Sequence, residues 1–159
     1  FEAFKAEADK LAEAVRADQA SVPEGQLKLV TYHDAYAYFA KNFGWEVVGA
    51  IQPSSFDDPT PAEVAGLIEQ IRATGVPTIF GSEVFPSSVL EAIAAETGVR
   101  YEDSLRDDDL PGMPGEPQHS LLELLRYNYR TMISGLGGQP TQLDALVFEQ
   151  FPDTAYYPQ

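Results

Sequence analysis

The chain has 159 residues, 44% of them hydrophobic, with 10 Lys and Arg against 25 Asp and Glu, a net charge of −15. That is the length of one domain with enough apolar material for a core, and its acidity makes nucleic acid a poor partner while favouring cations. The absence of cysteine excludes disulfides, thiolate metal sites and a cysteine nucleophile.

From Phe1 to Ala20, the residues Phe1, Phe4, Ala8, Leu11 and Val15 recur at helical spacing among charged ones, which predicts an amphipathic helix. No Ser, Thr, Asp or Asn caps its start, as expected of a helix cut partway along. Ser21 to Gly25 breaks it, and Leu27 to Tyr32 reads as a strand. A helix over Ala35 to Phe43 ends at Gly44, and Trp45 to Ile51 is the next strand. After a loop from Gln52 to Pro61, Val64, Leu67, Ile68 and Ile71 mark a helix ended by Gly75, followed by the strand Val76 to Phe80. A third unit runs from Pro86, favourable in a first helical turn, through Val89, Leu90 and Ile93 to Gly98 and the strand Val99 to Glu102.

The loop from Asp107 to Pro117 is acidic and proline-rich. It leads to a helix expected to bury Leu121, Leu124, Leu125, Met132, Ile133 and Leu136, closed by Gly135, Gly137 and Gly138. Residues 139–159 form an irregular aromatic and proline-rich tail able to wrap back on the body. No run approaches the roughly 18 apolar residues of a spanning helix. No signal peptide precedes Phe1, which is not Met, so an export signal upstream stays open.

Helices alternating with strands over such short connections predict a four-stranded parallel sheet flanked by helices, an α/β domain. Ligands of such sheets bind beyond the carboxyl ends of the strands. There the sequence has His33 after the first strand, Glu83 after the third and Asp103 after the fourth. A strand order of 2-1-3-4 makes those three exits contiguous, and an imidazole with carboxylates is the donor set of a first-row divalent metal. Plainer readings stand beside this one: His33 as a surface residue, Asp103 as a cap or turn, Glu83 as a helix cap. His119 reads as a capping or exposed residue. Asp107-Asp108-Asp109 lacks the spacing of a calcium loop and reads as solvated. A Ser82, His33 and Asp103 triad has no local support, and the chain has neither a phosphate-binding glycine loop nor a G-x-S-x-G elbow.

The stretch Lys28 to Phe39, followed by Phe43-Gly44, resembles the start of the C-terminal lobe of the zinc and manganese solute-binding proteins of ABC importers, the cluster A-I type. The resemblance continues in order through Pro61-Ala62-Glu63-Val64, Ile79 to Phe85, Tyr101-Glu102-Asp103-Ser104-Leu105, Leu124 to Asn128 and Ile133 to Leu136. It implies a bilobal receptor with the metal between lobes joined by a long helix. Residues 1–20 would then be the C-terminal part of that helix and 21–138 the C-terminal α/β lobe. The resemblance also implies His33 and Asp103 as half of a four-ligand site, Glu83 as support, and the other ligands from an N-terminal lobe absent from this sequence. Related proteins carry His or Glu at the position of His33, and His leans toward Zn2+ over Mn2+.

The function expected from this is non-enzymatic: periplasmic or extracytoplasmic capture of a divalent ion, by a receptor that is exported or lipid-tethered in the full protein, for delivery to an ABC permease. Two alternatives are a small zinc hydrolase with Glu83 as general base, and a protein-interaction lobe that binds no metal.

Overall fold

The structure is a computed structural model that describes residues 1–52, 59–82, 87–107 and 109–150. Its elements are α1 (Glu2–Gln19), β1 (Lys28–His33), α2 (Ala37–Phe43), β2 (Glu46–Gln52), α3 (Pro61–Thr74), β3 (Thr78–Ser82), α4 (Ser88–Thr97), β4 (Arg100–Leu105), α5 (Leu121–Gly135) and α6 (Thr141–Ala145). The strands form one parallel sheet in the order β2-β1-β3-β4. The α/β alternation read from the sequence is therefore the observed architecture.

Local chemistry explains most helix boundaries. At the start of α3, the Glu63 N–H donates to Thr60 Oγ1 at 3.3 Å and the Thr60 N–H donates to Glu63 Oε2 at 2.7 Å, a reciprocal capping box with Pro61 in the first turn. Ser87 and Ser120 cap α4 and α5 by accepting from Leu90 and Glu123. Gly75 ends α3 at φ +64°, a left-handed conformation that a β-carbon would strain. Pro86, expected in the first turn of α4, lies outside the described residues.

Successive side chains on each strand feed opposite faces, so the sheet has two cores. Leu29 and Phe80 enter the layer of α1, α2, α5 and α6, with Val15, Met132 and Ile133. Val30 and Ile79 enter the layer of α3 and α4, with Leu67, Ile71, Leu90 and Ile93.

Two faces differ from the periodic reading. On α5, Leu122 is buried in the α1–α5 core with Met132 and Ile133, while Leu121 is 51% exposed. On α1 the apolar face is covered from its second turn onward, while Phe1 and Phe4 stay exposed.

Part of the stretch read as an irregular tail is an ordered strap. Leu143 and Phe148 are buried, and the Asp18 carboxylate at the end of α1 accepts the Gln142 and Leu143 N–H groups at 2.9 and 2.8 Å. The Gln139 N–H donates to Ser21 Oγ at 2.7 Å, Arg126 Nη1 donates to the Leu146 carbonyl at 2.8 Å, and Arg130 pairs with Asp144. The strap thus ties α1 to α5.

Candidate metal site

β1 ends at His33, one strand from the outer edge formed by β2 and beside β3. This is where the chain's winding reverses, the position at which open α/β sheets bind ligands. The half-buried imidazole sits edge-on to the Tyr32 ring, with centroids 4.6 Å apart. Its backbone carbonyl accepts the Thr31 hydroxyl at 2.7 Å, which holds the strand end. A small cleft of about 10 Å³ opens here, walled by His33 and Tyr36 from the β1 side, Gly81 and Ser82 of β3, and Leu105 and Asp107 from the β4 side. That is room for about one water or a bare ion.

Asp103 is exposed and is not one of the cleft's walls. The sequence reading placed it after the fourth strand, but β4 runs on through it to Leu105. The same shift of the strand end puts Asp107, which is exposed as a solvated residue would be, at the rim of the cleft. The signal that would have found it is the true end of β4.

Glu83 lies outside the described residues. Among the described residues, no three His, Asp or Glu side chains are grouped so as to hold a metal ion. The Ser82, His33 and Asp103 triad has no third member in the cleft.

The two carboxylates act on different tyrosines. Burial holds the Tyr36 phenol well above the usual tyrosine range, and the Asp107 charge pushes it further. Burial also raises the Tyr101 phenol, against a hydrogen bond donated by the Ser87 N–H, and the Asp103 charge adds to the rise. Tyr36 packs with the α1–α5 layer and Tyr101 with the α3–α4 layer, so the two phenols lie on different faces of the sheet. Both phenols stay protonated, as neutral hydrogen-bonding groups beside anionic ones. His119 is half-buried immediately before the Ser120 cap of α5.

Two larger depressions carry less chemistry. One, of about 270 Å³, lies between α3 and β2, where Glu63 of the capping box is the one ionisable wall residue among the described residues. The other, of about 220 Å³, lies between α1, α2 and α5 and is lined almost wholly by apolar side chains.

Residues 1–135 match the family model described as ZnuA, zinc-uptake complex component A, periplasmic. Among curated relatives, the zinc-binding protein TroA of Treponema pallidum is 27% identical over 141 residues, covering 86% of this chain and 46% of the relative. The manganese-binding lipoprotein MntA of Halalkalibacterium halodurans is 23% identical over 135 residues, covering 85% of this chain and 45% of the relative. The iron-binding protein YfeA of Yersinia pestis is 28% identical over 116 residues, covering 73% of this chain and 37% of the relative.

Among solved structures, the periplasmic zinc-binding protein TroA of Treponema pallidum superposes with a TM-score of 0.70 at 25% identity, over 85% of this chain and 50% of that one. The Mn-bound periplasmic metal-binding protein of Candidatus Liberibacter asiaticus superposes at 0.67 and 22% identity, over 80% of this chain and 48% of that one, a likeness of fold. This chain thus spans about half the length of the relatives it matches or less. With the order of elements, the parallel sheet and a match over 135 residues in agreement, the chain belongs to the ZnuA family of metal-binding solute-binding proteins.

Proposed function

We propose that this chain is the C-terminal lobe of an extracytoplasmic receptor that binds a divalent transition metal and delivers it to an ABC permease. In this reading His33 and Asp103 are its metal ligands and Glu83 supports the site. α1 is the end of a helix that leads to a second lobe, which completes the ligand set, and the lobe performs no catalysis. The observation that carries the reading is the family match over residues 1–135, which contains His33 at the end of β1 and Asp103 on β4.

The donor chemistry points the same way. Imidazole nitrogen suits zinc, and a site richer in oxygen would suit manganese, so zinc is the favoured ion and manganese the next. A net charge of −15 raises the local concentration of any cation. The relatives' names, periplasmic or lipoprotein, support a place outside the cytoplasm. Among the described residues no helix is long and apolar enough to cross a membrane. A hydrolytic zinc site is the weaker reading, since it needs three protein ligands and an open position.

Two protein ligands leave the rest of the metal's shell to water, so binding by this chain alone is weak. In a calorimetric titration of the metal-stripped chain, zinc should bind more tightly than manganese. His33→Ala and Asp103→Ala should each lower the zinc affinity by roughly tenfold or more, with circular dichroism melts close to the parent's. Equal affinity in all three proteins would sink the assignment of these ligands. No binding even with an N-terminal lobe supplied would sink the receptor reading.

A further inference from the structure

We propose that the apolar groove between α1, α2 and α5 receives this chain's own C-terminal segment: residues 151–159 pass around the start of α5 and set a ring of the Tyr156-Tyr157 pair into it. This docking involves none of the metal-site residues and stands apart from the receptor reading.

The groove, of about 220 Å³, has Phe4 and Ala8 of α1 on one side and Leu121 and Leu125 of α5 on the other, with Phe43 and Tyr129 also lining it. Two of these walls are open to solvent, Phe4 at 41% and Leu121 at 51%. Apolar surface that gathers around a hollow in this way is stabilised by covering it. A cavity of about 150 Å³ already accepts a benzene ring, so the groove has room for a phenol. Tyrosine suits its chemistry, because the ring is apolar while the hydroxyl can stay at the wet opening.

The strap leads toward this place. On α1 its contacts move from Asp18, which accepts from Gln142 and Leu143, to Glu7, which the Glu149 N–H reaches. On α5 they move from Arg130, paired with Asp144, to Arg126, which donates to the Leu146 carbonyl and lies over the Phe148 ring. The chain thus advances toward the N-terminal ends of both helices. Gln150, the last described residue, donates from Nε2 to the Pro117 carbonyl at 3.3 Å. Pro117 stands four positions before Leu121, and Phe4 one helical turn before Glu7, so the strap arrives at the end of the seam where the two exposed walls stand.

The remaining length fits the distance. Tyr156 is six residues beyond Gln150, about 20 Å of extended chain. The α5 wall from Leu121 to Tyr129 measures about 12 Å at the helical rise. Phe151, one residue beyond Gln150, reaches only about 4 Å from it, which leaves the tyrosine pair as the aromatic side chains in range. A second copy of the chain is the poorer occupant, since each copy brings a net charge of −15 and the two repel.

The test uses the whole chain with labelled leucine methyl groups. NMR should show NOEs from the Tyr156 or Tyr157 ring to Leu121 or Leu125, unchanged on dilution. Leu121 is the first residue of α5 and half exposed, and an acid in the first turn of a helix is favourable. Leu121→Asp should therefore keep the fold, with hydrogen exchange across β1 and β3 at the parental rate, while it weakens the docking. Chymotryptic cleavage beside Tyr156 and Tyr157 should then run roughly tenfold faster than in the parent.

A parent chain without NOEs from either ring to the groove would overturn the proposal, and no variant has to fold for that result. NOEs found only between differently labelled copies and fading on dilution would overturn it in favour of a second copy. Equal cleavage rates in the parent and Leu121→Asp would overturn it as well. None of these outcomes bears on His33, so the receptor reading stands or falls separately with the zinc titration.

Discussion

Asp18→Ala is expected to lower the melting temperature by about 6–12 °C. The carboxylate is 2% exposed and accepts the Gln142 N–H, the Leu143 N–H and, at 3.3 Å, the Thr141 hydroxyl. Removing it leaves a buried N–H at Leu143 without its acceptor, a loss of about 3 kcal/mol when the acceptor is ionised. For a domain of this size each kcal/mol corresponds to roughly 2–4 °C.

The effect should be concentrated in the strap. Leu143 and Phe148 are seated in the α1–α5 core, and hydrogen exchange in residues 139–148 should rise before that of the sheet. Burial of Glu7 supports the same seam: the Lys10 ammonium holds its carboxyl below the usual range, burial opposes this, and the Glu149 N–H assists. A shift below about 2 °C would mean that apolar burial alone holds the strap.

Phe80→Ala is expected to cost about 3–5 kcal/mol, the range for truncating a buried aromatic. Phe80 is fully buried at the centre of β3, and its ring fills the space that a side chain at Gly135 would occupy: a β-carbon there would lie 2.7 Å from it. The Thr78 hydroxyl donates to the Gly135 carbonyl at 2.5 Å, so α5 crosses the sheet closely at this point. Close packing limits collapse around the lost ring, and the cavity should persist. Urea unfolding with an unchanged slope and a lowered midpoint would show this. A loss below about 1 kcal/mol would mean that α5 settles onto the sheet. Phe80 also lines the cleft beside His33, so this variant separates stability from metal binding poorly and is no substitute for His33→Ala.

The elements were legible because their signals are local. Thr60-Pro61-Ala62-Glu63 is a helix start on chemistry alone, and Gly75 and Gly98 are stops because each takes a left-handed conformation that a β-carbon disfavours. Helices of that length between apolar runs leave a parallel sheet as the economical arrangement, and the order 2-1-3-4 is the one observed. The helix over Leu121–Gly135 was legible as an element, but its buried face was not. Leu121 and Leu122 are equally apolar, and only the packing of α5 in the α1–α5 layer decides which of them is covered.

The α/β alternation, the helix ends, the lack of any thiol and the place of His33 at a strand end can all be read along the chain, since each shows in residue types and their near neighbours. The remaining features come from contacts between distant parts of the chain. A bulge at Asp103-Ser104 exists only as a mismatch of register with β3, so no property of Tyr101 to Leu105 taken alone reveals it. The place of Asp107 on the cleft follows from that longer strand. The strap is held by Asp18 across 124 positions to Gln142, and the Asn128 amide accepts the Arg106 N–H across 22 positions. A carboxylate or an amide in a sequence shows what it can bond, and the folded chain decides what comes within its reach.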